Sequence, residues 1–294
     1  MHIKASNVFK FCSKPERLYC WLILTIGILI YHCAPKISHY LTEESQQIHE
    51  RFWASESLLY GHFMEGTKYQ TPIFHFDTAQ EGPSVLILGG THGNEPAGFE
   101  AAYRLLEKLS STNLKSGNIF IVPEANRIAV LKNSRRIPVP KGMDKERGNL
   151  NRCYPGDSKG LPMEREAYEI VQLIREQEIA LLLDLHESPR FHLESKNKSD
   201  QYHGLGQTLI YTPDEKATWL GMIVLDQLNS SIAPGVKQFS LVERPIEHSA
   251  AWSAGEIFKI PAFTVETCKK QPLEERIQYQ VQIVTIILKE KGML

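Results

Sequence analysis

The sequence predicts an α/β domain with a mixed, mostly parallel central sheet flanked by helices, preceded by an N-terminal membrane segment. Three observations carry this reading. Residues 85–89 are a short apolar run entering a glycine-rich turn, a helical pattern opens at Pro96, and 118–122 is a second apolar run. A strand, a crossover helix and a strand in that order make a parallel pair. Residues 179–185 are apolar except for Asp184, which suits a central strand covered on both faces. Strands and helices then keep alternating to the C-terminus without an internal repeat, so the helices cover one sheet.

Composition narrows the class. The 294 residues carry a formal net charge of −1, which gives no electrostatic case for nucleic acid as a partner. Five cysteines form no CxxC pair, which argues against a cysteine-built structural zinc module. At the N-terminus, a basic tail over 1–17 (Lys4, Lys10, Lys14, Arg17) precedes an apolar stretch over 18–34. That pattern reads as an uncleaved membrane anchor with its N-terminus inside, or alternatively as a cleaved signal segment. His32 stands where a cleavage site wants a small residue, which favours the anchor. Either reading places the main domain outside the cytoplasm. Residues 35–66 are polar and mixed and read as a stalk, linker or helix joining the anchor to the domain, leaving 67–294 as the main domain.

Taken in order, 69–76 alternates as an early strand, with His75 as an ordinary strand residue. The helix from Pro96 turns Ala102, Leu105, Leu106 and Leu109 inward and leaves Glu100 and Arg104 on the wet face. Residues 124–161 hold little regular pattern but contain Asn126, Arg127, Arg135, Arg136, Asn149, Asn151 and Arg152. A long irregular stretch inside a domain often carries function. Helices follow over 163–177, 214–231 and 272–289, and strands over 207–211, 236–242 and 257–265.

Polar groups that do chemistry gather at the carboxyl ends of strands in such sheets. Three strands end in candidates: His92 and Glu95 after 85–89, His186 after 179–185, and Glu266 after 257–265. Two histidines and a carboxylate meet the ligand count of a catalytic zinc site with one position left for water. Glu266, from another strand, is the candidate general base. Asp184, two residues before His186, is either an acceptor that orients its ring or part of a salt bridge. Singly, each has a plainer reading as a capped turn, a hydrogen-bonded histidine or a strand-end acid; the case rests on their joint placement.

In that order, Gly90-Thr91-His92-Gly93-Asn94-Glu95, Gly148-Asn149-Leu150-Asn151-Arg152, Asp184-Leu185-His186 and Val265-Glu266-Thr267 resemble the motifs of the succinylglutamate desuccinylase/aspartoacylase family, within the zinc carboxypeptidase group. The resemblance covers roughly 84–290. It implies a zinc carboxypeptidase-like fold, Zn2+ held by His92, Glu95 and His186, and Glu266 as catalytic glutamate. It also implies Asn151 and Arg152 as the pair that holds a substrate carboxylate, and Arg127 as the arginine that steadies the oxyanion. A guanidinium forks onto a carboxylate through two hydrogen bonds, so the chemistry suits these residues. Arg135 and Arg136 match no role and read as solvated. A substrate-covering tyrosine is not assigned among Tyr202, Tyr211 and Tyr279. Residues 187–192 are expected to line the pocket, with Arg244 as a weaker candidate for an acidic substrate group. Cys153 and Cys268 are either a disulfide or two buried thiols.

The expected activity is zinc-dependent hydrolysis of an amide next to a free carboxylate. The substrate is a small N-acyl amino acid, or the end of a peptide, including a cell-wall peptide. A membrane-tethered binding protein that keeps the fold without catalysis is the competing class. The oligomeric state is not read from the sequence.

Overall fold

The computed structural model describes residues 41–55, 58–195, 204–243 and 245–294. The expected membrane segment over 18–34, Tyr202 and Arg244 lie outside the described residues. Among those described, no helix is long and apolar enough to cross a membrane.

One eight-stranded sheet organises the domain, in the order β1-β2-β4-β3-β5-β8-β6-β7. Its strands are β1 (Leu59–Phe63), β2 (Thr71–Asp77), β3 (Ser84–Leu88), β4 (Asn118–Val122), β5 (Ile179–Ser188), β6 (Thr208–Tyr211), β7 (Ser240–Glu243) and β8 (Ala262–Cys268). The central pairs β4·β3, β3·β5 and β5·β8 are parallel, as is the outer pair β6·β7. Antiparallel joints at β1·β2, β2·β4 and β8·β6 make the sheet mixed. This is the expected fold class, and it has a consequence for function. The strands that carry His92, His186 and Glu266 are neighbours running the same way, so their carboxyl ends share one edge of the sheet.

Apolar runs explain the centre. Val85 to Leu88, Ile119 to Val122 and Leu181 to Leu183 are all inaccessible to solvent, because helices cover both faces. Burying each such side chain is worth about 1.5–3 kcal/mol relative to exposure. Helix α2 (Pro96–Ser110) packs against β5 and against the C-terminal helix α8 (Leu273–Glu290). Gly98 makes this possible, since a Cβ there would come within 2.3 Å of the Leu185 carbonyl oxygen. The remaining helices are α3 (Arg127–Leu131), α4 (Pro162–Glu176), α5 (His192–Ser195), α6 (Glu215–Asn229) and α7 (Ala250–Glu256).

Three expectations change. The stretch read as a stalk or helix outside the domain belongs in part to the domain itself: Glu43–Ser55 does form a helix, α1, and Leu59–Phe63 is an edge strand of the sheet. The helix docks because Ile48 and Phe52 bury their side chains, while Thr42 donates from N and Oγ1 to the buried Glu100 carboxylate at 2.6 and 2.7 Å. His49 adds a buried contact, its Nδ1 lying 2.7 Å from the Tyr103 hydroxyl. The strand expected over 236–242 is shortened to β7, because Asn229 grips the backbone of Phe239 from both sides and holds it in a turn. The strand expected over 257–265 moves to β8, because Lys259 takes a left-handed φ of 55° and the chain straightens only after Pro261. Cys153 and Cys268 are both free, buried thiols.

A candidate metal centre

The turn after β3 owes its shape to two glycines. Gly90 has φ 67°, favourable only without a side chain. Gly93 is pressed against α3, where a Cβ would come within 2.0 Å of the Ala129 carbonyl. Between and beyond them, His92 and Glu95 face the end of β5. His92 is 2% exposed, Glu95 3% and His186 1%.

Their donor atoms converge. His186 Nδ1 lies 3.1 Å from His92 Nδ1 and 2.8 Å from Glu95 Oε2, and His92 Nδ1 lies 3.1 Å from Glu95 Oε1. Ligands held about 2.0–2.1 Å from one tetrahedral zinc are separated by roughly 3.3 Å. The outer ring nitrogens are also spoken for. His92 Nε2 donates to Asn149 Oδ1 at 2.9 Å, and the Asn149 amide is oriented by its donation to Glu146 Oε2 at 2.7 Å. His186 Nε2 lies 2.8 Å from Asp184 Oδ2, whose other oxygen accepts from Thr91 Oγ1 at 2.7 Å. With the His92 Nε2 proton directed at Asn149 and the Asp184 carboxylate beside His186 Nε2, both Nδ1 atoms and the Glu95 carboxylate face one buried point. These three donor atoms lie within 4.8 Å of one another, so the residues present fit a divalent metal.

Electrostatics follow the same geometry. Burial pushes the His92 pKa down, against the pull of Glu95. Burial also opposes charge on His186, but the Asp184 and Glu95 carboxylates outweigh it and hold that histidine well above its ordinary range. Glu95 resists burial through His92 and His186 and stays well below the usual carboxylate pKa.

Glu266 pairs with His186 across the parallel β5·β8 ladder. Its Oε2 is sealed from solvent without a hydrogen-bond partner, and burial pushes its carboxyl up to about 8. Glu266 and the three clustered residues line a cavity of about 230 Å³ together with Arg135, Asn151 and Arg152. Asn151 and Arg152 sit on a short 3-10 turn, Leu150–Arg152, where Asn151 Oδ1 accepts from the Ala250 backbone at 3.1 Å. Of the segment 187–192, Glu187, Ser188 and Pro189 reach the cavity. Tyr211 and Tyr279 do not line it.

One expected residue is elsewhere. Arg127 opens α3 and does not line the cavity; its Nη1 donates to the Gln70 carbonyl at 3.3 Å and its guanidinium lies 4.7 Å from the Trp53 ring centre. Arg135, which read as solvated, is indeed exposed but also lines the cavity, with Nη1 2.8 Å from Glu95 Oε1 and 3.4 Å from His92 Nδ1. Asn149 was visible within its motif, and only the fold shows what it orients.

Residues 81–195 match the family model of the Succinylglutamate desuccinylase/Aspartoacylase catalytic domain. That segment is similar to the family's catalytic domain. An N-alpha-acetyl-L-2,4-diaminobutyric acid deacetylase from Halomonas elongata is 34% identical over 110 residues, 37% of this chain and 30% of that protein. Solved structures share the fold: the cell shape determinant Csd4 of Helicobacter pylori aligns with TM-score 0.63 and 21% identity over 76% of this chain and 55% of that one. An aspartoacylase family protein from Mesorhizobium loti aligns with TM-score 0.59 and 24% identity over 80% and 67%. The chain thus spans less than two thirds of the deacetylase and of Csd4.

Proposed function

We propose that the protein is a zinc-dependent amidohydrolase that cleaves the amide of a small N-acyl amino acid beside a free carboxylate. The convergence of His92 Nδ1, Glu95 and His186 Nδ1, with Glu266 on the adjacent strand, carries this reading. The cluster would hold Zn2+, which when bound lowers the pKa of its water toward about 7 and polarises a carbonyl.

The chain's own groups supply the rest. Asn151 and Arg152 grip the substrate carboxylate and set the register of the amide over the cluster. Glu266, beside His186 on the adjacent strand, takes the proton of the attacking water and passes it to the departing amine. Arg135, rather than Arg127, donates to the oxygen on which negative charge builds, because it is the guanidinium already aimed at Glu95 and His92.

A peptide substrate is the second reading. It is favoured by the basic tail and apolar stretch over 1–34, which read as an anchor with the catalytic domain outside the cytoplasm, and by the fold shared with Csd4, described in its mDAP-bound form as a D,L-carboxypeptidase. The 34% identity to a deacetylase over 110 residues favours the deacylase. The deciding experiment is hydrolysis of N-acetyl and N-succinyl amino acids beside short peptides and muropeptides, for wild type and Glu266→Gln. Turnover of the acyl amino acids, abolished by Glu266→Gln, is expected. Zinc binding without turnover of any substrate would leave the binding-protein reading instead.

A further inference from the structure

Glu95 occupies the N-cap position of α2, yet its side chain makes no cap hydrogen bond. A residue at that position ordinarily turns its side chain back onto the first free N–H groups of the helix. Here Pro96 removes one of them, and the Ala97 N–H is taken by another residue: Glu187 Oε2 accepts it at 3.0 Å. Glu187 follows His186 on β5 and is 3% exposed. Its second oxygen pairs with Arg276 Nη1 on α8, and its own backbone N–H donates to Glu95 Oε2 at 3.1 Å.

We propose that Glu187 is a positioning residue that caps α2 in place of Glu95 and so frees the Glu95 carboxylate for the metal, with Arg276 fixing Glu187 in turn. The inference rests on the metal reading of His92, Glu95 and His186. A carboxylate at a helix N-terminus is favoured by the helix dipole as well as by the hydrogen bond. Without it, the acceptor that the N-cap position ordinarily offers the Ala97 N–H is the Glu95 side chain, and a carboxylate engaged there is poorly placed for a cation.

Helix α8 completes the device. Gln280, one turn beyond Arg276, donates through Nε2 to the His186 carbonyl at 2.8 Å and to Thr267 Oγ1 at 3.0 Å. One helix face therefore grips the strand on both sides of the His186–Glu187 peptide and ties β5 to β8. Groups that hold a metal's ligands in place typically change affinity by about 10–100-fold when removed.

The test uses the full chain and measures the zinc dissociation constant by competition with a chelator, beside the thermal stability of the metal-free protein. Glu187→Leu removes the acceptor and is expected to weaken zinc about 10–100-fold. Glu187→Gln keeps an acceptor for Ala97 and is expected to recover most of that loss. Arg276→Met leaves the cap present but unpinned, with a several-fold loss expected. A purely structural role would lower the metal-free stability of these variants and leave zinc affinity within about twofold of wild type, and that result overturns the proposal. If Glu187→Leu does not fold, the Arg276→Met affinity decides, and an unchanged value again overturns it. A wild-type chain that binds no zinc overturns the metal reading and this inference together, a result distinct from strong binding by every variant.

Discussion

Arg135 and Glu95, forty residues apart in the chain, meet with Nη1 and Oε1 2.8 Å apart at the rim of the buried cluster. Arg127 is the earlier arginine of the same segment and lies against Trp53 and Gln70. The two therefore separate catalysis from stability. Arg135→Met is expected to lower kcat/KM by about 10²–10³, the usual cost of one oxyanion donor, with little change in melting temperature. Arg127→Met is expected to destabilise the fold by roughly 1–3 kcal/mol through a lost hydrogen bond and ring contact, leaving kcat/KM within about threefold. Steady-state kinetics and urea unfolding of both variants check this; the reverse pattern would restore Arg127 to the site.

Why the sequence points to Arg127 while the fold brings Arg135 to the cavity is a matter of backbone pairing. His186 and Glu266 were legible because apolar strands announce their own ends, and adjacent parallel strands bring those ends to one edge. Between Leu131 and Leu150 no periodicity marks where the chain goes. Its course is set by isolated bonds such as Ile137 N–H to the Gly148 carbonyl and Ser134 N–H to the Ala129 carbonyl, both at 2.9 Å. That helix α1 docks on the domain escaped for a related reason. Its apolar side chains are few, with Ile48, Phe52 and Trp53 the large ones, and its docking depends on polar partners, Glu100 and Tyr103, that lie more than fifty positions away.

The cluster geometry predicts one zinc per chain. His186→Ala removes one of three protein ligands and is expected to abolish stoichiometric zinc after dialysis. Asn149→Ala and Asp184→Asn leave all ligands in place but disturb the tautomer of one ring, with affinity losses of about 10–100-fold. Elemental analysis and chelator competition measure both. Undiminished zinc in His186→Ala would place the metal elsewhere.

Gly93 sets a steric limit on the metal turn. A methyl there would come within 2.0 Å of the Ala129 carbonyl carbon and oxygen, and α3 has little room to retreat because Asn126 caps it at Ala129 N–H. Gly93→Ala should cost at least about 1–3 kcal/mol of stability, the range for overpacking a dense site, and should weaken zinc as well by displacing His92. Denaturant unfolding with and without zinc reads both effects. An alanine accepted without loss would mean that the turn does not approach α3 this closely.

The α1 contact predicts a specific acid sensitivity. Tyr103 gives its hydroxyl proton to Glu124 Oε1 at 2.8 Å, so His49 Nδ1–H is the donor to Tyr103. Burial, aided by the nearby Arg127 charge, lowers the His49 pKa from 6.5 to about 4. The unfolded chain takes up a proton near 6.5 while the folded chain resists until about 4, so this residue removes stability as the pH falls through that window. The slope approaches about 1.4 kcal/mol per pH unit and the total is about 3 kcal/mol. Glu124 and Glu100 have raised pKa values and act in the opposite sense, so the informative quantity is the difference between wild type and His49→Gln. The glutamine amide keeps a donor for Tyr103 but cannot titrate. Its unfolding free energy should therefore converge on, then exceed, that of wild type between pH 6.5 and 4. Parallel pH profiles would show instead that His49 is free to protonate in the folded chain.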